Sequence, residues 1–329
     1  MKVIFAEAPS TCTRDMSVER SCFPEGTEFV IAVFDEHSEN NDKFYEQVSD
    51  ADIVINGYVY LGEKELDAMK KCKVVSFQST GFNAIDIDYA TKKGIAVVSI
   101  EDYCTQETAE NAMALMLCLQ RGLITYNDSV QIDKEWIYDK AKDLKRIEGQ
   151  VMGIVGLGRI GQSVARKAKG FDMEVIAYDP FLPKSVAEGL GVKLVEIDEL
   201  LAVSDVISVH MNLTDDNVNF FNKEKFAKCL KKPIIINEGR GGMISEEDLA
   251  WALDEGLIKG AALDMLESEF PDLKECKLMG RPNVIITPHC GFFSDTSMYL
   301  LCQCSAMNAL NYFNGDYDAV KVIRNGIRG

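Results

Sequence analysis

An α/β fold of two domains, each built on a doubly wound parallel sheet, is predicted for this chain by three observations. Short runs rich in β-branched residues alternate with helical patterns along almost the whole length, the order that parallel strands with crossover helices require. The chain has 329 residues, too many for one typical core and enough for two. Between Val151 and Asp179 it reads strand, Gly156-x-Gly158-x-x-Gly161, amphipathic helix, strand, acid, all within about thirty residues.

In the first hundred residues, 3–6, 29–34, 53–55, 74–77 and 95–98 read as strands, with helical pattern clearest over 63–71 and 86–93. The tract 35–42 is a solvated acidic loop, and His37 within it is an ordinary surface residue. Residues 108–123 have helical period but are apolar on nearly every side, with Glu110, Asn111 and Gln120 as exceptions. Such a helix must be buried, between domains or in a subunit interface. A homodimer through this part of the chain is the expectation. The polar stretch 127–145 reads as a surface crossing that leads into the central unit.

In that unit, residues 152–155 form a buried strand, 160–169 a helix and 174–178 a second strand. The alternation continues with strands at 193–195, 206–210, 233–237, 261–265 and 284–287, and helices at 197–203 and 223–229. Ser245 is a good N-cap for the helix after it, and the acids that follow suit its positive end. One long helix spans 296–313, followed by a loose tail.

Each glycine of the central motif has a physical role. Gly156 permits the tight turn, Gly158 lets backbone approach a pyrophosphate, and Gly161 lets the helix pack closely on the strand. Phosphates would then meet unpaired N–H groups at a helix N-terminus. Asp179 is placed to accept hydrogen bonds from an adenosine ribose and opposes a 2′-phosphate, which selects NAD over NADP.

A net charge of −17 argues against nucleic acid and against an anionic membrane surface as partners. Any anionic substrate must therefore be drawn by local positive groups. The ten cysteines are scattered singly except for Cys302-Gln-Cys304, which reads as a pair of buried helix thiols in preference to a soft-metal site. No metal site is expected. Met1 leads straight into a strand without a signal-like segment, and the longest apolar stretch, 112–119, is far short of a membrane span, so a cytoplasmic location is expected.

Ligands of doubly wound sheets lie outside the carboxyl ends of the strands, so chemistry is sought there. Two histidines end strands, His210 and His289, and either can be a structural residue or a general acid. Arg240, flanked by Gly239, Gly241 and Gly242, is suited to fork a carboxylate. Asp264 ends a strand, with Glu267 and Glu269 within five residues; an acid here can orient a histidine or be a solvated loop charge, and Glu267 reads as the latter. Tyr58, Tyr60, Phe292 and Phe293 are candidate walls of an apolar pocket, or plain core.

The order of these signals resembles the D-isomer-specific 2-hydroxyacid dehydrogenase family. The resemblance rests on Gly81-Phe-Asn-Ala-Ile-Asp86, Thr108-Ala-Glu110, the glycine motif, Asp179, Asn237-Glu-Gly-Arg-Gly-Gly242, Gly260-Ala-Ala-Leu-Asp264 and Thr287-Pro-His289. It implies a Rossmann NAD-binding domain, residues 101–293, inserted into a flavodoxin-like substrate domain, residues 1–100 plus 294–329. It implies that Arg240 binds the substrate carboxylate and carbonyl, that His289 donates the proton and that Glu269 orients and charges it. Backbone N–H groups near Thr80 and Gly81 would hold the carboxylate. Arg159 and Ile160 would meet the pyrophosphate, Met211, Asn212 and Asn217 would line the adenosine, and Asp264 would bind the nicotinamide carboxamide beside Glu238 and Gly239.

Two departures from the family pattern stand out. Asn212 replaces the usual proline two residues after the strand-end histidine, so that loop is expected to sit differently. Glu238 puts an acid where relatives carry a small neutral residue, an extra negative charge expected to weaken anionic substrates or favour cationic ones. Glu269 separates this chain from the family's formate dehydrogenases, which pair the histidine with glutamine. The implied reaction is reduction of a small 2-keto acid to the D-2-hydroxy acid, or its reverse. An NAD(H)-responsive regulatory protein of the same fold is the alternative, and the substrate side chain is left open.

Overall fold

The computed structural model describes residues 1–57, 59–269 and 271–328. Their contacts divide the chain into two units: Met1–Tyr103 with Ser294–Gly329, and Cys104–Phe293. Both are α/β units on fully parallel named strands, as predicted.

The first unit runs β1 (Lys2–Glu7), α1 (Ser17–Ser21), β2 (Glu28–Val33), α2 (Asp42–Val48), β3 (Ile53–Asn56), α3 (Glu63–Ala68), β4 (Val74–Phe77), α4 (Ile87–Lys92) and β5 (Ala96–Val98). The sheet order is β2-β1-β3-β4-β5, the flavodoxin-like arrangement. Alternate strand residues feed two cores. Ile4, Val54, Val75 and Val97 pack with Phe44 and Leu66, while Val3, Phe5, Ile53, Ile55 and Val74 pack with Ala306, Ala309 and Tyr312 from the C-terminal segment. Burial on both faces is why these strands read as continuous apolar runs.

Strand order reverses between β1 and β3, and a buried ion-pair network sits there. Arg14 pairs with Glu7 and Glu19, both fully buried, and donates to Gln78 at the end of β4. Glu7 Oε2 presses so close to Gly57 that a Cβ there would lie 2.8 Å from it. The loop after β4 carries Thr80 and Gly81; Arg324 donates to the Thr80 carbonyl, and Ser79 Oγ to that of Gly81. The tail expected to be loose is pinned: Ile323 bridges to Val98, Arg324 donates to Ser99 Oγ, and Asn325 bonds the backbone at Val97 and Ile95.

The second unit runs α5 (Thr105–Gln120), α6 (Leu123–Gln131), β6 (Val151–Val155), α7 (Arg159–Lys169), β7 (Glu174–Tyr178), α8 (Lys184–Gly189), β8 (Lys193–Leu194), α9 (Ile197–Val203), β9 (Val206–Val209), α10 (Lys223–Ala227), β10 (Ile234–Asn237), α11 (Glu246–Asp254), β11 (Gly260–Leu263) and β12 (Val284–Ile286). The sheet order is β12-β11-β10-β9-β6-β7-β8, with the reversal at the β6–β9 pair. The chain then returns to the first unit as α12 (Asp295–Phe313).

The helix expected over 108–123 is α5, and it stops earlier. Gly122, with φ +60°, breaks it, and Leu123 opens α6, which runs on into the stretch 127–145 expected to be a surface crossing. Ala109, Ala112, Met113, Leu115 and Met116 are buried in a core of their own unit, with Met152, Ile154 and Val164. The need for a second subunit to cover this helix is therefore removed. Exposed apolar side chains instead follow it, from Leu123 to Tyr138. No helix among the described residues is long and apolar enough to cross a membrane.

Candidate active site

The carboxyl edge of the second sheet gathers most of the residues singled out in the sequence. β6 ends at Gly156, whose φ of +93° only glycine adopts freely. A Cβ on Gly156 would meet the Met211 backbone nitrogen at 2.7 Å, so the loops after β6 and β9 touch at the switch point. A Cβ on Gly161 would stand 2.2 Å from the Gly156 carbonyl oxygen, which locks the start of α7 onto the turn. Gly158, the N-cap of α7, is different: a Cβ there would meet nothing within 4 Å. Open space over a helix N-terminus begun by Arg159 and Ile160 is what a diphosphate needs, so the residues present fit a dinucleotide.

Asp179 follows β7. Its Oδ2 accepts from the Leu157 N–H at 2.9 Å, and its Oδ1 from the N–H groups of Phe181 and Leu182 at 3.0 and 3.1 Å. A carboxylate has about four acceptor positions, so this fixes the group and leaves capacity for a ribose hydroxyl. In the loop after β9, Asn212 is exposed. Asn217 is occupied by its own turn, donating to the Asn212 carbonyl at 2.9 Å and accepting from the Thr214 N–H at 2.7 Å.

The two strand-end histidines separate clearly. His210 has Nε2 2.8 Å from Ser208 Oγ and a buried Nδ1 with no hydrogen-bond partner among the described residues. Loss of solvent around the ring pushes its pKa down to about 3, so it is neutral and holds no proton to give at neutral pH. His289 is half exposed, and its Nδ1 lies 3.0 Å from Glu269 Oε2. That contact fixes the ring, while Nε2 has no protein partner among the described residues.

The backbone under His289 is held with equal care. Its φ of +51° lies in the left-handed region, which costs a non-glycine residue of order 1–3 kcal/mol and persists only where neighbours impose it. Asp264, at the end of β11, imposes it. Its carbonyl accepts the His289 N–H at 2.6 Å, and its carboxylate accepts from Thr287 Oγ1 and from the N–H groups of Cys290 and Gly291. Asp264 thus orients the histidine through the backbone, and Glu269 does so through the ring. Glu267, expected to be a solvated loop charge, bonds reciprocally with Glu246 at the start of α11, each carboxylate accepting from the other's backbone N–H.

Arg240 follows β10 and is exposed, its Nη1 donating to the Gly239 carbonyl at 2.8 Å. Asn237 accepts from the Gly239 N–H and donates to the Arg240 carbonyl, so the strand end folds the turn that presents the guanidinium. Beside it the expectation for Glu238 is corrected. Its side chain is buried, with Oε1 accepting from Asn111 Nδ2 of α5 at 2.8 Å and Oε2 without a partner among the described residues. Burial, reinforced by the Asp264 charge, pushes its pKa up to about 9. The group carries its proton at neutral pH and adds no negative charge there.

Asn111 was legible only as a polar residue in an apolar helix, and Gly291 not at all. A Cβ on Gly291 would fall 2.5 Å from Glu238 Oε2 and 2.9 Å from Asp264 Oδ2. Phe292 meets the His289 ring edge-on at 6.1 Å, Phe293 and Tyr60 are exposed, and Tyr58 lies outside the described residues. A cavity of about 300 Å³ lined by Leu119, Ile234 and Gly260 lies at the opposite, amino-terminal edge of the second sheet, away from all these groups.

Residues 113–291 match the model of the NAD binding domain of the D-isomer specific 2-hydroxyacid dehydrogenases. The chain is 39% identical over 252 residues to D-3-phosphoglycerate dehydrogenase of Methanocaldococcus jannaschii, covering 76% of this chain and 47% of that protein. A D-3-phosphoglycerate dehydrogenase of Bacillus subtilis is 38% identical over 239 residues, 73% of this chain and 45% of that one. The chain thus spans about half the length of the curated relatives it matches. Among solved structures, D-lactate dehydrogenase from Aquifex aeolicus, in complex with NAD and lactic acid, superposes with a TM-score of 0.81 at 26% identity, over 98% of this chain and 99% of that one. The pyruvate reductase of Chlamydomonas reinhardtii gives 0.80 at 26% identity, over 95% and 96%.

Proposed function

The chain belongs to the D-isomer specific 2-hydroxyacid dehydrogenase family, whose cofactor is NAD, and from that premise we propose that it reduces a small 2-keto acid to the D-2-hydroxy acid, or runs the reverse reaction. The observation that carries the reading is the His289–Glu269 pair at 3.0 Å beside Asp264, with His210 excluded by its neutral, desolvated ring. When bound, NADH would supply the hydride equivalent for the keto carbon. His289, its ring fixed by Glu269, gives a proton from Nε2 to the carbonyl oxygen. Arg240 binds the substrate carboxylate and stabilises charge developing on that oxygen.

Gly156, Gly158, Arg159, Ile160 and Gly161 receive the pyrophosphate in this reading, and Asp179 the adenosine ribose, with Met211, Asn212 and Asn217 along the adenosine. Gly239 and Asp264 border the nicotinamide. Ten free thiols suit a reducing, cytoplasmic setting. The exposed apolar run containing Trp136 (91% exposed) and Tyr138 (92% exposed) suits a homodimer interface on the second unit. Sedimentation at micromolar concentration tests this, and a monomer refutes it.

The test of the chemistry is NADH oxidation against pyruvate, glyoxylate, hydroxypyruvate, phenylpyruvate and the keto acid of 3-phosphoglycerate. At least one should turn over at roughly 1–10³ per second. His289→Gln should lower that rate by ~10²–10⁴-fold, the usual share of a positioned acid. Absence of turnover with every keto acid, or a near-normal rate in His289→Gln, defeats the reading.

A further inference from the structure

Glu238 is the one buried acid near the candidate site for which the mechanism has no use. Its carboxyl is 5% exposed, held by Asn111 on one oxygen and by nothing among the described residues on the other. The groups facing it are the Asp264 carboxylate from the end of β11, the Cys290 thiol from the loop after β12, and the neutral Asn111 amide from α5. Arg240, two residues on, turns its guanidinium to the Gly239 carbonyl. One point in space, the Cβ position of Gly291, lies within 3 Å of both Glu238 Oε2 and Asp264 Oδ2. A buried carboxyl beside another carboxylate keeps its proton, because burial and the neighbouring charge both disfavour its ionised form.

We propose that Glu238 makes the protein discriminate the oxidised from the reduced cofactor by exchanging a proton for the positive charge of the nicotinamide ring. The inference rests on the functional reading above, which sets Asp264 at the border of that ring. With the neutral ring of NADH, the pair keeps its proton. With the cationic ring of NAD⁺, full ionisation of the pair is favoured, and the proton leaves Glu238 for solvent. The binding equilibrium is protonated protein plus NAD⁺ giving the complex plus one H⁺. Oxidised cofactor is then bound more tightly as pH rises, and reduced cofactor is not.

Burial supports the protonated starting state, since it lifts the Glu238 carboxyl to about 9. Release of a full proton therefore predicts up to ~10-fold tighter NAD⁺ binding per pH unit between pH 6 and 8, because one proton per ligand gives a tenfold slope. The Kd for NADH should stay level over the same range. Glu238→Gln mimics the protonated acid: its carbonyl can still accept from Asn111, and its amide can point at Asp264. It should bind NADH as wild type does and bind NAD⁺ with no pH slope of this origin.

The experiment is calorimetric titration with NAD⁺ and with NADH at pH 6, 7 and 8, in two buffers of different ionisation enthalpy. It is run on wild type, Glu238→Gln, His289→Gln and the double variant. The His289→Gln background removes the imidazole, so that its protonation cannot contribute to the measured slope. In that background, a released proton and a slope for NAD⁺ that vanish with Glu238→Gln are the expected result. A slope that survives Glu238→Gln, or an equal slope for NADH, overturns the proposal. Failure to bind either cofactor overturns the functional reading itself, a result distinct from binding both with equal pH response.

Discussion

Gly158→Ala tests whether the open space over α7 is the cofactor's. The backbone at Gly158 (φ −68°, ψ −164°) is open to alanine, and the new methyl meets no atom within 4 Å. Its effect on folding should therefore be that of an N-cap change alone, at most about 1 kcal/mol. A ligand on the helix N-terminus would feel it directly. A methyl between diphosphate and backbone displaces at least one charge-assisted N–H bond, worth roughly 1.5–3 kcal/mol, or a ~10- to 100-fold weaker NADH Kd. Gly161→Ala is the contrasting control. Its Cβ would stand 2.2 Å from the Gly156 carbonyl, about 1 Å inside ordinary contact, so α7 must shift at a cost of about 1–3 kcal/mol whether or not cofactor is present. Fluorescence titration with NADH and urea unfolding, run on both variants, separate the two effects. Normal NADH affinity in Gly158→Ala would show that no phosphate lies there.

Asp179→Ser should narrow a strong wild-type preference for NADH over NADPH, mainly by weakening NADH; equal use of both by wild type defeats the assignment. Glu238 also links stability to pH. Its folded-state pKa of about 9 exceeds the ordinary 4.5, so the folded chain binds an extra proton between those values, and stability falls as pH rises through that window. The slope is at most about 1.4 kcal/mol per pH unit, and Glu238→Gln should flatten it in urea-unfolding midpoints from pH 6 to 8. Arg14→Met strands two fully buried carboxylates and should destabilise the first unit by about 3–5 kcal/mol in urea unfolding. Adding Glu7→Gln and Glu19→Gln should restore part of that loss, and a cost below 1 kcal/mol for Arg14→Met would show the network to be unimportant.

What the sequence made legible is what residue type alone constrains. Gly156 and Gly161 could be assigned roles in advance because a missing Cβ is itself the constraint, and the contacts at 2.7 and 2.2 Å express it. Buried parallel strands were readable because both faces are covered. The short helices α1, α2 and α8 were missed, whereas α9 and α10, equally short, were read from their place between two apolar strands. The break between α5 and α6 lay in one glycine, Gly122, inside an otherwise continuous pattern. His210 and His289 look alike as strand-end residues; only the burial of one ring and the carboxylate beside the other tell them apart. The neutrality of Glu238 depends on its burial and on the charge of Asp264 at the end of another strand, and no local pattern carries such information.

The insertion of the second unit sets an order on how the chain matures. The strands of the first sheet are complete at Val98, yet α12, which packs against β3, β4 and α1, begins only at Asp295. At a synthesis rate of about 5–20 residues per second, the intervening stretch of 190 residues, Cys104 to Phe293, takes about 10–40 s to emerge. For that time Val3, Phe5, Ile53, Ile55 and Val74 lack the cover of Ala306, Ala309 and Tyr312. A nascent chain in this state exposes an apolar sheet face that must be kept from its neighbours. The inserted unit is contiguous and can close as soon as it clears the ribosome. The half made first is therefore the last to be sealed.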